Sequence, residues 1–598
     1  MKSTTLNTLI DAAAGRIPCD LKFTNARIID VYNLRICRGE VAIKDGIIVG
    51  VVFEDEGLET HYDANETLDC KGRFLCPGFI DAHMHIESYN LRPAEFGRLA
   101  ATRGTTTAVA DSHEICNVCG LKGLEFMIED GKRSPIDIKF MMPSCVPALR
   151  DELSGATITS KDMQQFMDKY PDTIFGLGEM MNMPGIISSD QETLGRLAFS
   201  MKTASGICDG HAPLLSGKEL NAYLTSGIIA DHECTMLEEA RAKLARGMFV
   251  MMRQGTCSKD VKALVPLVIE NPARAASCCF ATDDRSPSEA YNDGMIDNAI
   301  RIAISEGLDP VTAISMATLS PAICFGFHRR SLDPRERRGA IAPGKRADIL
   351  ILDDLKFEKA PKSVYAYGKH VAEKGKVLVE TPCSNAKISQ LEDVLLSTVK
   401  LPDLKRDIFD FEFHTGDNAI EIKPENLITS LIKQKDCKGL RRIVVIERHG
   451  RGQSAQRSGE GLLNKYIGRS WISGLPIQNG ALASSIGHDS HNVCVVGDNP
   501  DDMLLAVQSI GQGAHVLVSN GEVVARISLP LGGLMSQGTA KQVATEHIKF
   551  VEKARELGIE PPQDPIMGII FLALPVIPDI RLRPQGLFDV NNLKYLER

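Results

Sequence analysis

The sequence predicts an α/β protein with a (β/α)8 barrel, a small β-sandwich domain built from both flanks of the barrel, and a C-terminal α/β domain. Three observations lead to this fold class. First, strand-like and helical patterns alternate for about 250 residues after Phe74, which is the size of such a barrel. Second, short β-like runs lie on both sides of that stretch. Third, a further region with its own strand patterns begins near residue 400.

The chain has 598 residues, which is too long for a single hydrophobic core. We expect the small β domain to begin at residues 1–76 and to be completed by residues 334–385. The barrel is expected at 77–333 and the C-terminal domain at 386–598.

The individual elements follow from local patterns. The N-terminal part has β-like runs at 21–23, 40–43 and 47–52, separated by breaks rich in Gly and Asp. Further strand-like runs lie, in chain order, at 106–110, 174–178, 227–230 and 248–252 for the barrel, at 339–341, 347–352 and 363–367 for the second half of the small domain, and at 442–446 and 493–497 for the C-terminal domain. A loop at 382–385 leads into a predicted helix.

Charge and composition narrow the class of partner. The net charge of −9 is spread along the chain without a long basic block, so we expect no nucleic-acid partner. No run of about 18 apolar residues and no signal peptide is visible, so we expect no membrane partner. The 16 cysteines are scattered without a disulfide framework, which favours a cytoplasmic location.

The most informative motif is a pair of histidines at the end of an apolar run. His83 and His85 are separated by one residue, and alternate residues of a strand point to the same side. Two imidazoles can therefore aim at one point beyond the strand, an arrangement typical of metal ligands.

More titratable residues end the later strand-like runs. In chain order they are Asp111, His113, Glu114, Glu179, His211, Asp231, His232, Glu233, Asp283 and Asp284. A single such residue is ordinarily a loop cap, but a succession of them at strand ends is costly without partners. Four histidines and two carboxylates can hold two divalent ions with one carboxylate bridging, and a water bound there has a pKa near neutrality.

These motifs resemble the bacterial adenine deaminases of the amidohydrolase superfamily. The resemblance extends over nearly the whole chain and is carried by residues 77–88, 104–107, 113–118, 143–148, 176–182, 209–213, 231–233, 282–285, 339–348, 483–492 and 529–536. The barrel motifs alone indicate a metal-dependent hydrolase. The two C-terminal motifs, at 483–492 and 529–536, make the resemblance specific.

The resemblance implies a set of site residues. The implied metal ligands are His83, His85, Glu179, His211, His232 and Asp283, with Glu179 bridging two divalent ions, Mn or Fe more than Zn. Glu233 is implied as the acid and base at the purine ring, and Asp283 as the proton acceptor. Residues expected to contact the substrate are His113, Glu114, Asp284, His488 and His491.

The implied activity is hydrolytic deamination of adenine to hypoxanthine and ammonia, with a metal-bound hydroxide attacking C6, in purine salvage or catabolism. The expected partner is therefore a small-molecule purine, and we expect a homodimer or higher homo-oligomer. Two alternatives stay open: a related amidohydrolase acting on another aminated heterocycle or a cyclic amide, and a non-catalytic barrel scaffold. The presence of every expected ligand disfavours the scaffold.

Overall fold

The fold begins with a helix and five strands. The computed structural model describes residues 3–57, 61–328, 333–422, 428–433, 438–458, 462–560 and 564–596. The first elements are α1 (Ser3–Ala13), β1 (Cys19–Asp30), β2 (Arg35–Lys44), β3 (Ile47–Phe53), β4 (Ala64–Asp69) and β5 (Phe74–Pro77). β1, β2 and β3 form an antiparallel ladder, while β4 and β5 pair in parallel with successive parts of β1.

Eight short strands follow, and all of their pairings are parallel. They are β6 (Phe79–Met84), β7 (Thr105–Asp111), β8 (Asp137–Met141), β9 (Leu177–Met180), β10 (Cys208–Gly210), β11 (Ala230–Asp231), β12 (Phe249–Arg253) and β13 (Cys278–Ala281). Ladders join β6 to β8, β9 to β10 and β11 to β13. Single parallel bridges link these groups, and the bridge between Met84 and Asp283 joins the end of the last strand to the end of the first. Each strand therefore lies beside the next, and the series closes on itself.

Helices connect these strands. They are α2 (Pro93–Thr102), α3 (His113–Cys119), α4 (Leu121–Gly131), α5 (Ser160–Lys169), α6 (Met183–Ile187), α7 (Gln191–Ser200), α8 (Gly217–Thr225), α9 (Leu237–Leu244), α10 (Val261–Leu264), α11 (Pro266–Glu270), α12 (Pro287–Asn292), α13 (Ile296–Ser305), α14 (Pro310–Met316) and α15 (Leu319–Cys324). Inside the strands, Ile80, Val109, Met141, Met251 and Cys279 belong to one buried cluster. The strands thus surround a packed apolar interior, and the mixed α/β content predicted from the sequence is confirmed.

The chain then returns to the first sheet. β14 (Ile349–Leu352), β15 (Ser363–Ala366), β16 (Lys369–Glu373) and β17 (Lys376–Val377) follow, and β14 pairs antiparallel with β5. The sequence predicts a sandwich, but hydrogen bonds join all the strands into one nine-stranded sheet. Phe23 is in β1 and Tyr365 is in β15, and two strands, β14 and β5, lie between them in the sheet. Their rings are nevertheless 5.1 Å apart, so this sheet folds over its own core. The strand predicted at 339–341 is wrong, because those residues form bends without a ladder.

The C-terminal region contains a second large sheet. Its elements are α16 (Ala386–Leu395), β18 (Asn418–Ile422), β19 (Thr429–Lys433), β20 (Arg441–Ile446), α17 (Arg451–Ser458), β21 (Ile467–Ser473), β22 (Gly480–Ser484), β23 (Val493–Gly497), α18 (Pro500–Gln508), β24 (Ala514–Ser519), β25 (Glu522–Ser528), α19 (Ala540–Glu556), α20 (Met567–Ile570), β26 (Ile580–Arg583), β27 (Gly586–Asp589) and β28 (Lys594–Tyr595). β18 to β25 form eight strands in the order 19-18-21-20-23-22-24-25, antiparallel except for the pair β18 and β21. The predicted helix after 382–385 is confirmed as α16, which Asn385 caps.

This region packs directly on the eight parallel strands and their helices. Ser536 forms a parallel bridge with Leu91, and the Asn90 amide donates to the Leu534 carbonyl at 3.1 Å. Ser490 donates to Glu152 at 2.8 Å. Apolar residues from both parts belong to one buried cluster. The contact is therefore a continuous core and not a tethered module.

Within the described ranges, no helix is long and apolar enough to cross a membrane.

Candidate metal-binding active site

Six buried ligand-type side chains meet where the parallel strands end. They are His83 in β6, His85 just after it, Glu179 in β9, His211 just after β10, His232 just after β11, and Asp283 just after β13. Parallel strands of a closed series present their carboxyl ends on one face, so residues distant in sequence come together there. The structure brings together all six residues that the sequence predicts as ligands.

Three of the six side chains, His83, His85 and Asp283, meet at the end of β6, the first of the eight parallel strands. The Nε2 atoms of His83 and His85 are 3.2 Å apart. Asp283 Oδ1 lies 3.7 Å from His83 Nε2 and 3.3 Å from His85 Nε2. These three ligand atoms therefore face one common point, with two imidazole nitrogens and one carboxylate oxygen.

Glu179 lies between this group and a second one. Its Oε2 is 2.7 Å from His211 Nδ1 and 3.3 Å from His232 Nε2. Its Oε1 is 3.4 Å from His85 Nε2 and 3.8 Å from His83 Nε2. Each oxygen thus faces a different pair of histidines, which is the arrangement of a bridging carboxylate.

The contacts behind the histidines fit metal binding. His85 Nδ1 lies 3.0 Å from the Asp111 carbonyl oxygen, which only accepts, so the proton is on Nδ1 and the Nε2 lone pair faces the centre. His83 Nδ1 lies 2.9 Å from Asp209 Oδ2, which favours the same tautomer. Imidazole and carboxylate ligands together suit divalent first-row ions, so the donor set present fits two such ions.

The Glu179 carboxylate and the imidazoles around it stabilise each other's charged forms. Burial raises the pKa of the Glu179 carboxyl, but hydrogen bonds to His211 and His232 outweigh it and hold that pKa well below its usual value. Burial lowers the pKa of His232, whereas its hydrogen bond to Glu179 and that charge raise it overall to about 10. A cation bound among these groups competes with protons for the same lone pairs, so metal binding should weaken as the pH falls.

A buried ion pair supports the strand ends that carry His211 and His232. Lys243 Nζ, on α9, lies 2.8 Å from Asp231 Oδ2 and also donates to the Ala212 carbonyl. The backbone N–H of Ala212 in turn donates to Asp231 Oδ1 at 2.7 Å. Residues next to the two ligand histidines are thereby tied together, although Lys243 touches neither imidazole in the described contacts.

Glu233 is held by an arginine that the sequence analysis missed. Arg253, the last residue of β12, is 3% exposed, and its Nη1 donates to Glu233 Oε1 at 2.5 Å. The same nitrogen donates to Asp283 Oδ2 at 3.1 Å, and Nε donates to Asp260. Its position in the sequence could have identified it, since Arg253 ends an apolar strand-like run as the predicted ligands do.

A small cavity of about 30 Å³ adjoins these groups. It is lined by His85, His113, Glu114, Glu179, Met181, His211, His232, Glu233, Arg253, Asp283, Asp284, His488, Asp489, Phe571, Leu574 and Ile577. Of the five residues predicted to contact substrate, four line it. The fifth, His491, is buried behind His488, with ring centroids 5.4 Å apart, and is not part of the lining.

The C-terminal region therefore forms part of the cavity wall. Asp489 belongs to the motif at 483–492 but is not among the predicted site residues. Its Oδ1 lies 3.6 Å from His113 Nε2. His113 Nδ1 lies 3.6 Å from Glu179 Oε1. His113 therefore lies between Glu179 and the C-terminal region, 3.6 Å from a carboxylate oxygen on each side.

This fold and ligand set define a metal-dependent hydrolase, and similarity to known proteins agrees. Residues 74–378 match the amidohydrolase family. Residues 420–594 match the adenine deaminase C-terminal domain. The two matches together cover most of the chain.

Two relatives that match over nearly their full length are named adenine deaminases. The adenine deaminase of Nitratidesulfovibrio vulgaris is 39% identical over 99% of this chain and 98% of its own length. Adenine deaminase 2 of Latilactobacillus sakei subsp. sakei is 38% identical over 100% of both chains. The chain belongs to the adenine deaminase family of amidohydrolases, which confirms the resemblance seen in the sequence motifs.

Proposed function

We propose that this protein hydrolyses adenine to hypoxanthine and ammonia in purine salvage or catabolism. The observation that carries the proposal is Glu179, whose two oxygens face two separate histidine groups, beside Glu233, in the wall of one cavity. The near full-length similarity to proteins named adenine deaminase supports the choice of adenine.

Two divalent ions are proposed as cofactors, with Mn or Fe preferred over Zn as the sequence resemblance implies. Asp283 with His83 and His85 would hold one, His211 and His232 the other, and Glu179 both. When bound, such ions bring the pKa of a water toward neutrality and so supply a nucleophile for C6 of the purine.

Two carboxylates, Glu233 and Asp283, are proposed to transfer the protons of the reaction. Glu233 gives a proton to the ring nitrogen next to C6, which offsets the negative charge that develops there. Arg253 fixes the Glu233 carboxyl by the 2.5 Å hydrogen bond to Oε1. One proton of the attacking water replaces the proton that Glu233 gives to the ring. Asp283 accepts the other and delivers it to the leaving amine, while Arg253 lies 3.1 Å from Asp283 Oδ2. The apolar side chains that line the cavity, Phe571, Leu574 and Ile577, disfavour competing water there.

The eight parallel strands are proposed to form a (β/α)8 barrel over residues 77–333, with the small β domain at 1–76 and 334–385 and the C-terminal domain at 386–598. The closing bridge between Met84 and Asp283 supports the barrel. A cytoplasmic location is also proposed, supported by free thiols at all fifteen described cysteines. The homo-oligomer stays a prediction.

The test compares the wild type with Glu179→Gln. We expect the wild type to convert adenine to hypoxanthine with release of ammonia. The amide cannot bridge two cations as a carboxylate does, so the variant should lose at least one ion and at least ~10²-fold in kcat. Elemental analysis and product quantification on the same samples measure both effects.

The control is Glu125→Gln, which removes a comparably buried carboxylate (6% exposed against 4%) on α4, outside the centre. It should keep both ions and full activity. Full metal content with unchanged turnover in Glu179→Gln would contradict the bridging role. A wild type that releases no ammonia from adenine but opens a cyclic amide would instead support the alternative amidohydrolase.

A further inference from the structure

One part of the cavity wall, next to the proposed metal ligands, contains polar atoms that the reaction described above does not use. Glu114, Asp284, His488 and Asp489 all line the cavity. Among the described residues, Glu114 Oε2, His488 Nε2 and Asp489 Oδ2 are buried without a hydrogen-bond partner. Buried polar atoms are nearly always paired, so atoms left open in a cavity wall indicate groups that await a ligand.

The rest of this wall is already held in place. Ser88 Oγ, which has a single hydrogen to donate, lies within hydrogen-bond distance of both Glu114 Oε1 (3.1 Å) and Asp284 Oδ1. His488 stacks on Phe571 with ring centroids 4.4 Å apart and planes inclined by 8°. The open oxygen of Glu114 and the open nitrogen of His488 are therefore fixed before a ligand enters.

The charges define which of these atoms donates and which accepts. His488 Nδ1 lies 3.8 Å from Glu114 Oε1 and 3.6 Å from Asp489 Oδ1. Burial lowers the pKa of His488, but the Glu114 charge and the hydrogen bond with Asp489 raise it overall to about 8. A protonated ring carries a hydrogen on Nε2 as well, so His488 offers a donor beside the acceptor of Glu114.

We propose that Glu114 and His488 recognise the imidazole edge of the purine, with Glu114 accepting the ring N–H and His488 donating to a bare ring nitrogen. This inference rests on the proposed function. In that function the opposite edge, with C6 and its neighbouring ring nitrogen, faces the metal ligands and Glu233. The imidazole ring of a free purine base carries one N–H and one bare nitrogen, which matches an acceptor beside a donor.

The same wall explains how a free base is selected. A substituent on N9 removes the N–H that Glu114 accepts. It also meets Phe571, Leu574 and Ile577, apolar residues of the C-terminal region that line the cavity. A buried acceptor left without its donor is strongly penalised, so a 9-substituted purine is rejected both by hydrogen bonding and by shape.

The experiment measures kcat/KM for adenine and for 9-methyladenine, or the inhibition constant of the latter if it is not turned over. We expect the wild type to prefer adenine by at least ~10³-fold. Glu114→Met, which cannot accept, should narrow that ratio at least ~10-fold. Glu114→Gln is the matched control, since it is also uncharged but keeps an oxygen acceptor, and it should retain the preference.

Metal content is the second readout. Glu114, Asp284 and His488 also offer three atoms close enough to hold a cation. Two ions per chain in wild type and Glu114→Met support base recognition, whereas loss of an ion in Glu114→Met overturns it in favour of a cation site. The proposal is also overturned if Glu114→Met lowers kcat/KM by the same factor for adenine and 9-methyladenine, or if the wild type does not distinguish the two purines. Failure of the wild type to deaminate adenine at all would instead refute the proposed function.

Discussion

Replacing Glu233 with Gln is expected to lower kcat for adenine by ~10²–10⁴-fold while both metal ions stay bound. The amide cannot give a proton to the purine ring, yet it keeps the shape of the side chain and an oxygen for Arg253. Glu233 Oε1 lies 3.6 Å from His211 Nδ1 and 3.5 Å from His232 Nε2, near the ligands but bonded to Arg253. The measurement is steady-state kinetics with metal analysis of the same preparation.

The structure resolves how Glu233 can directly follow a ligand histidine. Side chains of consecutive strand residues point to opposite sides, but β11 ends at Asp231 and both residues lie beyond it. A neighbouring exposed carboxylate, Glu238, provides the control, and Glu238→Gln should leave kcat unchanged. If Glu233→Gln loses a metal ion instead, Glu233 is a ligand and the proposed proton transfer is wrong.

Truncation after residue 395 is expected to abolish deamination. The removed part supplies His488, Asp489 and Phe571 to the cavity wall. It also covers apolar surface, since Leu531 and Leu534 share a buried cluster with Leu91. The fragment 1–395 should expose this surface, bind a hydrophobic dye and form no hypoxanthine, even where some metal is kept.

The control for the truncation is addition of residues 396–598 as a separate chain. Restored turnover on mixing would show that the loss arises from the missing wall and not from an unfolded barrel. The account is contradicted by a soluble 1–395 fragment with a near-normal kcat/KM for adenine, because its active site would then be complete without the C-terminal region.

The sequence predicts which ligand-type side chains come together at the strand ends because their signal is local. His83 and His85 show the two-residue period of a strand, and Glu179, His211 and His232 each end or follow an apolar run. Parallel strands bring such ends together, so a pattern along the chain becomes a cluster in space. Strand cores are predicted on the same basis, as for β20 and β23.

Residues that act through tertiary neighbours were not predictable in this way. Arg253 gains its role from Glu233 and Asp283, and Lys243 from Asp231, each through the order in which strands and helices pack. The short length of β11 depends likewise on its neighbours, since only Ala230 and Asp231 find ladder partners in β12. No local pattern carries this information.

The most direct test of the account is a metal titration of the ion-free full-length chain, with hypoxanthine and ammonia quantified from adenine. The account predicts the two products in equal amounts, at a rate that rises until two ions are bound per chain. A full rate with one ion or none, or ammonia-free turnover, would contradict it.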